Sequence, residues 1–173
     1  MANKIPDLRY ILTDFARHAV RASDTALKDV AQDEVEDFRK RIDDQMVESF
    51  IKEPLSEKYA QWKARNHLDP RVMVRTGHYK KKIQVHAVEK KARVRAYRIG
   101  FLPSDRAIHW KTRRPIAFTL HKLALVQEYG TTTLPKRPHW RPQLKRLQRR
   151  GQSHSRRIRK HVIHTYKPKV RYK

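Results

Sequence analysis

Cysteine is absent from the 173 residues of this chain. That excludes disulfides, thiolate metal sites and cysteine catalysis, and it leaves the redox compartment open. Only four glycines are present. The Gly-rich phosphate loop, the GxSxG elbow and the HExxH zinc motif are all missing. No apolar run approaches the roughly 20 residues that a membrane helix needs. The opening MANKIPDLRY lacks the apolar region of a signal peptide. Negative charge also runs out, since Glu128 is the last acidic residue.

What the chain has in abundance is positive charge, a net +25 at pH 7. The charge is unevenly placed. Residues 1–57 hold 9 Lys/Arg against 13 Asp/Glu, residues 58–135 hold 18 against 4, and residues 136–173 hold 15 against none. Such a balance points to an anionic partner, either nucleic acid or an acidic protein surface. Hydrophobic residues make up 38% of the chain, enough for one modest core. The expected organisation is one domain over residues 1–150 and a basic arm over 151–173.

Periodicity predicts the elements. Leu8, Ile11, Leu12, Phe15 and Ala19 recur at three- and four-residue steps, the signature of an amphipathic helix. Leu27, Ala31, Val35, Phe38, Ile42, Met46 and Phe50 continue that spacing for about six turns. Ser23 or Asp24 caps this second helix, or the first runs through. Pro54 stops the pattern, and Ser56 is a good N-cap for a short helix carrying Tyr59 and Trp62. Val72 and Val74 suggest a short extended piece.

From Ile83 the period becomes two. Ile83, Val85 and Ala87, then Ala92, Val94 and Ala96, predict a β-hairpin around a turn at Glu89–Lys91, with one basic face. Residues 102–115 read as a loop, and Ile116, Leu120, Leu123 and Val126 predict a helix ended by Gly130. Pro135, Pro138 and Pro142 leave little room for helix or central strand. Beyond Pro142, Leu144 and Leu147 suggest only a short helix, and the rest has too few apolar residues to bury itself.

Chemistry finds little purchase. His154, His161 and His164 lie close in sequence, but a metal site needs three or four converging ligands, and these sit in a cationic stretch without acids. Solvated or structural histidines are the expected reading, and no cofactor and no enzymatic activity are expected. Arg113, Arg114, Arg149, Arg150, Arg156, Arg157, Arg159 and Lys160 are candidate phosphate contacts, and Trp140, Tyr166 and Tyr172 candidate base-stacking residues. No zinc finger, RNP motif or GXXG loop accompanies them. On these residues alone, nucleic acid and acidic protein stand even.

Three short motifs occur in order: Pro54-Leu55-Ser56-x-x-Tyr59-Ala60-x-x-Lys63, then Val74-Arg75-Thr76-Gly77 followed by Ile83, then Glu128-Tyr129-Gly130-Thr131 with Pro135-x-Arg137-Pro138-x-Trp140-Arg141-Pro142. Together they resemble the phage virion morphogenesis family, the tail completion proteins of Mu-like phages. The siphophage neck tail-component family is similar in the last motif. The resemblance covers roughly residues 1–150. Two departures stand out: the family usually has an aliphatic residue or Phe where this chain has His139-Trp140, and small or acidic residues where this chain has Tyr79-Lys80-Lys81-Lys82.

The resemblance implies an α+β fold, with long N-terminal helices packed on a small, mostly antiparallel sheet. It implies a structural virion protein of the head–tail junction, assembled in the host cytoplasm as a ring, six-fold by preference, against connector, neck or tail terminator and tube proteins. No membrane partner is expected. On that view Glu128, Tyr129, Gly130, Arg137, Pro138, Trp140, Arg141 and Pro142 form an intersubunit arm, with Tyr129 and Trp140 as aromatic anchors. Lys80, Lys81, Lys82, Arg93 and Arg95 would join the arginines named above in lining a DNA channel or meeting an acidic ring. The alternative is a free basic nucleic-acid-binding protein, a packaging or ribosome-associated factor.

Overall fold

The computed structural model describes residues 8–47, 51–52, 54–71, 77–91 and 94–167. The expected extended piece at Val72 and Val74, the Val74-Arg75-Thr76 part of the second motif, Phe50, Arg93 and Tyr172 lie outside the described residues. The chain is α+β. Helix α1 spans Leu8–Asp43, α2 Glu57–Arg65 and α3 His78–Lys81. Strands β1 Gln84–Lys91 and β2 Val94–Gly100 follow, then β3 Arg106–Ile108 and β4 Pro115–Thr119. Helices α4, Leu120–Tyr129, and α5, Trp140–Thr165, complete it.

The chain divides into two compact units, residues 1–31 with 150–173, and residues 32–149. In the first, α1 contributes the buried small residues Ala22, Ala26, Val30 and Ala31. Its early turns meet the end of α5: Phe15 packs edge-on against Tyr166 at 4.9 Å, and the Tyr166 hydroxyl donates to the Ile11 carbonyl. Ser23 and Asp24 lie inside α1, which is a single 36-residue helix. Leu12, expected on the inner face, is 67% exposed.

In the second unit the core gathers Val35, Phe38 and Ile42 of α1 with Val47, Tyr79, Ile83, Phe101, Ala107 and Leu120. β1 and β2 pair antiparallel, Val85 opposite Ile99, and both lean on this core. The hairpin forms as its alternation predicts, but β1 runs on to Lys91 rather than turning at Glu89. Ala87 and Val88 are exposed, as is Met46, so the core is narrower than the apolar series suggested.

Residues 102–119 correct the sequence reading. β3 and β4 pair antiparallel, Arg106 with Thr119 and Ile108 with Pro115, where a loop and the start of a helix were expected. Ile116, Leu120 and Leu123 satisfy helical spacing, but a short apolar run also suits a strand. The β-branched and aromatic PIAFT takes the strand. The helix begins one residue after Thr119, whose side-chain oxygen accepts the Lys122 amide and whose backbone is extended.

The largest correction lies after Pro142. α5 is 26 residues long and runs to Thr165, where only a short helix around Leu144 and Leu147 was expected. In place of a broad apolar stripe, polar side chains tie it to α1: Arg146 reaches Asp37 at 3.2 Å, and Gln143 donates to Glu34 at 3.3 Å. Those acids belong to α1.

Candidate docking site around Glu128–Pro142

Helix α4 ends where Gly130 adopts φ 74°, ψ −177°, and its amide donates to the Val126 carbonyl. That backbone region belongs to glycine. Space enforces the same choice, since a Cβ at Gly130 would lie 2.9 Å from the Leu134 carbonyl oxygen. The Thr131 hydroxyl then accepts the amides of Thr133 and Leu134, which closes a tight turn. The Arg137 amide donates back to the Gln127 carbonyl at 2.7 Å, returning the chain to the end of α4.

This return brings the next three amides onto one side chain. Glu128 Oε2 accepts from His139 N at 3.0 Å and from Trp140 N at 3.1 Å, and Oε1 accepts from Arg141 N at 3.1 Å. Glu128, only 8% exposed, therefore caps the first turn of α5. The first amides of a helix have no intrahelical partner, and its N-terminus carries partial positive charge. A buried carboxylate satisfies both demands. Pro142 fits because the first turn does not need its missing N–H. The proline run, expected to exclude helix, thus starts one.

Around the cap, the side chains form a buried polar chain. His139 is 1% exposed. Its Nδ1 faces the Arg137 carbonyl at 3.0 Å and must donate, since a carbonyl only accepts. Nε2 then accepts the Tyr79 hydroxyl proton at 2.6 Å, and the Tyr79 oxygen accepts from Trp140 Nε1 at 3.0 Å. Burial holds the His139 imidazole below the ordinary histidine range, so the neutral form that this order requires is the one favoured. Burial also pushes the Tyr79 phenol well above the usual tyrosine range.

The expected docking residues therefore divide. Trp140 is not an exposed anchor: it packs edge-on to Phe38 at 4.9 Å and to Phe101 at 5.7 Å. Arg137 is buried, and its guanidinium donates to the Pro54 carbonyl at 2.8 Å, which joins the first and third motifs. Glu128 and Gly130 serve the cap and turn. Exposed at the surface are Tyr129 and Arg141, the guanidinium 4.8 Å from the ring centroid. Leu125, one turn before Tyr129, and Leu144, one turn after Arg141, are 57% and 56% exposed.

No family model, no curated protein and no solved structure matches this chain.

The candidate anion contacts divide as well. Lys80 pairs with Asp43, and Lys82 with Asp105 at 2.9 Å, so two of the three lysines after Tyr79 are already neutralised. Lys81 is exposed. Arg39 of α1 explains why the segment holds its place: its guanidinium donates to the carbonyls of Lys80, Lys81 and Ile83. Arg95 sits in β2, its side chain outside the described part. Arg113 and Arg114 are exposed in the β3–β4 connection, Arg113 with φ 58°. On α5, Arg150 is half-buried while Arg149, Arg156, Arg157, Arg159 and Lys160 are exposed.

A cavity of about 750 Å³ adjoins the site, lined by Leu55, Tyr59, Ile116, Phe118 and Leu134 among others. Two buried cations line it, Arg137 and Lys63. Lys63 donates to the Asp69 and Arg71 carbonyls at 2.6 and 2.7 Å. Among the described residues, no three His, Asp or Glu converge to hold a metal ion, and no helix is long and apolar enough to cross a membrane.

The sequence reading missed Tyr79 and His139. They lie 60 residues apart in the chain and hydrogen-bond to each other only once it is folded.

Proposed function

We propose that this chain is a structural protein of a phage head–tail junction, a neck or tail completion protein that forms a ring, six-fold by preference. The ring joins tail to head beside connector and terminator proteins and borders the passage for DNA. The observation that carries the reading is the exposed patch at the third motif. Arg141 stacked on Tyr129, with Leu125 and Leu144 beside them, combines residue types that dominate protein interfaces. The Glu128 cap holds the two helices that present the patch, so little order has to be gained on docking. The motif is thus the support of the interface, and the exposed pair is its contact.

Purified virions test the reading. The chain should be found in the particles, and its loss should leave heads and tails unjoined. Leu125→Glu with Tyr129→Ala should lower the solution mass of the purified assembly while far-ultraviolet circular dichroism stays unchanged. Absence from particles, together with salt-sensitive DNA or RNA binding by a monomer, would replace this reading with that of a free nucleic-acid-binding protein.

A further inference from the structure

The residues that suggested nucleic acid fall into two classes once placed in the fold. Of the candidate base-stacking aromatics, Tyr172 lies outside the described residues, and Trp140 and Tyr166 are engaged. Trp140 packs against the core of the second unit, and Tyr166 packs on Phe15 and donates to the Ile11 carbonyl. Binding of single strands relies on such rings as stacking platforms. Three cations of α5 are engaged in nothing comparable. In the first unit, Arg156, Arg159 and Lys160 are exposed, and none has an ion pair or hydrogen-bond partner among the described residues.

Their spacing gives them one direction. Residues i, i+3 and i+4 share a helix face, so three positive heads stand within little more than one turn. Arg157 is exposed beside them, while Ile158 is turned inward. The outward residues just before them are Gln152, Ser153 and Ser155. No exposed apolar side chain interrupts the face until Ile163. Protein interfaces are built on apolar or aromatic anchors with charge at the rim. A face with cations and small polar groups, without anchor or free ring, suits a phosphate backbone.

We infer that the Arg156–Lys160 face of α5 binds the phosphate backbone of duplex DNA without reading sequence. The inference rests on the neck reading for the source of the duplex, but the contact itself does not need it. Asp43 and Asp105 explain why the lysines after Tyr79 are poorer candidates: Lys80 and Lys82 already have these carboxylates as partners. The β3–β4 connection, with Lys111, Arg113 and Arg114, is the competing exposed cluster.

The experiment uses the full chain and a short fluorescein-labelled DNA duplex, followed by anisotropy across a fourfold range of salt. Two charge-matched variants are compared, Arg156→Gln/Arg159→Gln/Lys160→Gln on α5 and Lys111→Gln/Arg113→Gln/Arg114→Gln on the connection. Gln keeps helix propensity, so α5 stays formed. Each phosphate contact adds about 0.9 to the slope of log affinity against log salt. The α5 variant should flatten that slope by up to about 2.7 and bind at least about tenfold more weakly at low salt, while the connection variant keeps the wild-type slope. Oligothymidine should bind more weakly than duplex. Wild-type binding by the α5 variant overturns the inference, as does loss confined to the connection variant. Displacement of duplex by polyglutamate at equal charge would assign the face to acidic protein instead. Particle content separates the two readings. A chain missing from virions that still binds duplex through α5 sinks the neck reading alone. A chain present in virions whose α5 variant binds normally sinks only this inference.

Discussion

Glu128 accepts the backbone amide of Trp140 at 3.1 Å, so the last acid of the chain sits on the first turn of its most basic helix. The same carboxylate takes the amides of His139 and Arg141. Glu128→Ala should leave three inward-facing amides without a partner and cost about 2–4 kcal/mol of folding stability. Glu128→Gln keeps an accepting oxygen but loses the charge, so its loss should be about half as large. Urea denaturation of the full chain measures both. Equal losses would mean that charge contributes nothing to the cap.

Trp140 and Tyr79 form the second prediction. Trp140→Ala opens space against Phe38 and Phe101 and should cost about 3–5 kcal/mol. Tyr79→Phe removes a hydroxyl that donates to His139 and accepts from Trp140, which should cost about 2 kcal/mol. A double-mutant cycle of Tyr79→Phe with Trp140→Phe should show coupling above about 0.5 kcal/mol. Additive losses would contradict the shared hydroxyl.

Acid should destabilise the chain through His139. Its folded pKa lies below the ordinary value of 6.5, chiefly because of burial. Between the folded pKa and 6.5 the unfolded chain therefore binds more protons, and stability falls as pH falls through that window. Tm should drop from pH 7 to pH 5, and His139→Gln, less stable throughout, should show a flatter slope over the same range. An unchanged slope would mean that another group carries the acid sensitivity.

At Gly130, substitution should be costly for two separate reasons, the glycine-only backbone and the 2.9 Å approach to Leu134. Gly130→Ala should destabilise by about 1–3 kcal/mol. A mild loss near that of an ordinary helix-end substitution would show that the turn can relax.

Local signals carried well from sequence to fold. Ser56 caps α2, Tyr59 stacks on Trp62 at 5.5 Å, and the period-two run gives the β1–β2 hairpin. The cap of α5 did not show, because its carboxylate lies 11 to 13 residues from the amides it serves. Capping signatures are legible only when cap and helix adjoin. The length of α5 was hidden for a related reason. Counting apolar residues undervalues a helix held by Asp37–Arg146 and Glu34–Gln143, whose partners are more than a hundred positions apart. Trp140 between Arg137 and Arg141 reads as a surface cluster until the turn at Gly130 sends the indole one way and the Arg141 guanidinium another.

The proline run between Gly130 and Pro142 also has an effect away from every folded contact. Before folding, Glu128 and His139 are the ends of a loop that must close for α5 to receive its cap, and closing it costs chain entropy. Each proline removes conformations from the open loop, so less is lost when it shuts. Pro135, exposed in the folded chain, is therefore a residue whose influence belongs mainly to the unfolded ensemble. Replacing it with alanine should disturb no neighbour, yet should lower the equilibrium population of the capped helix.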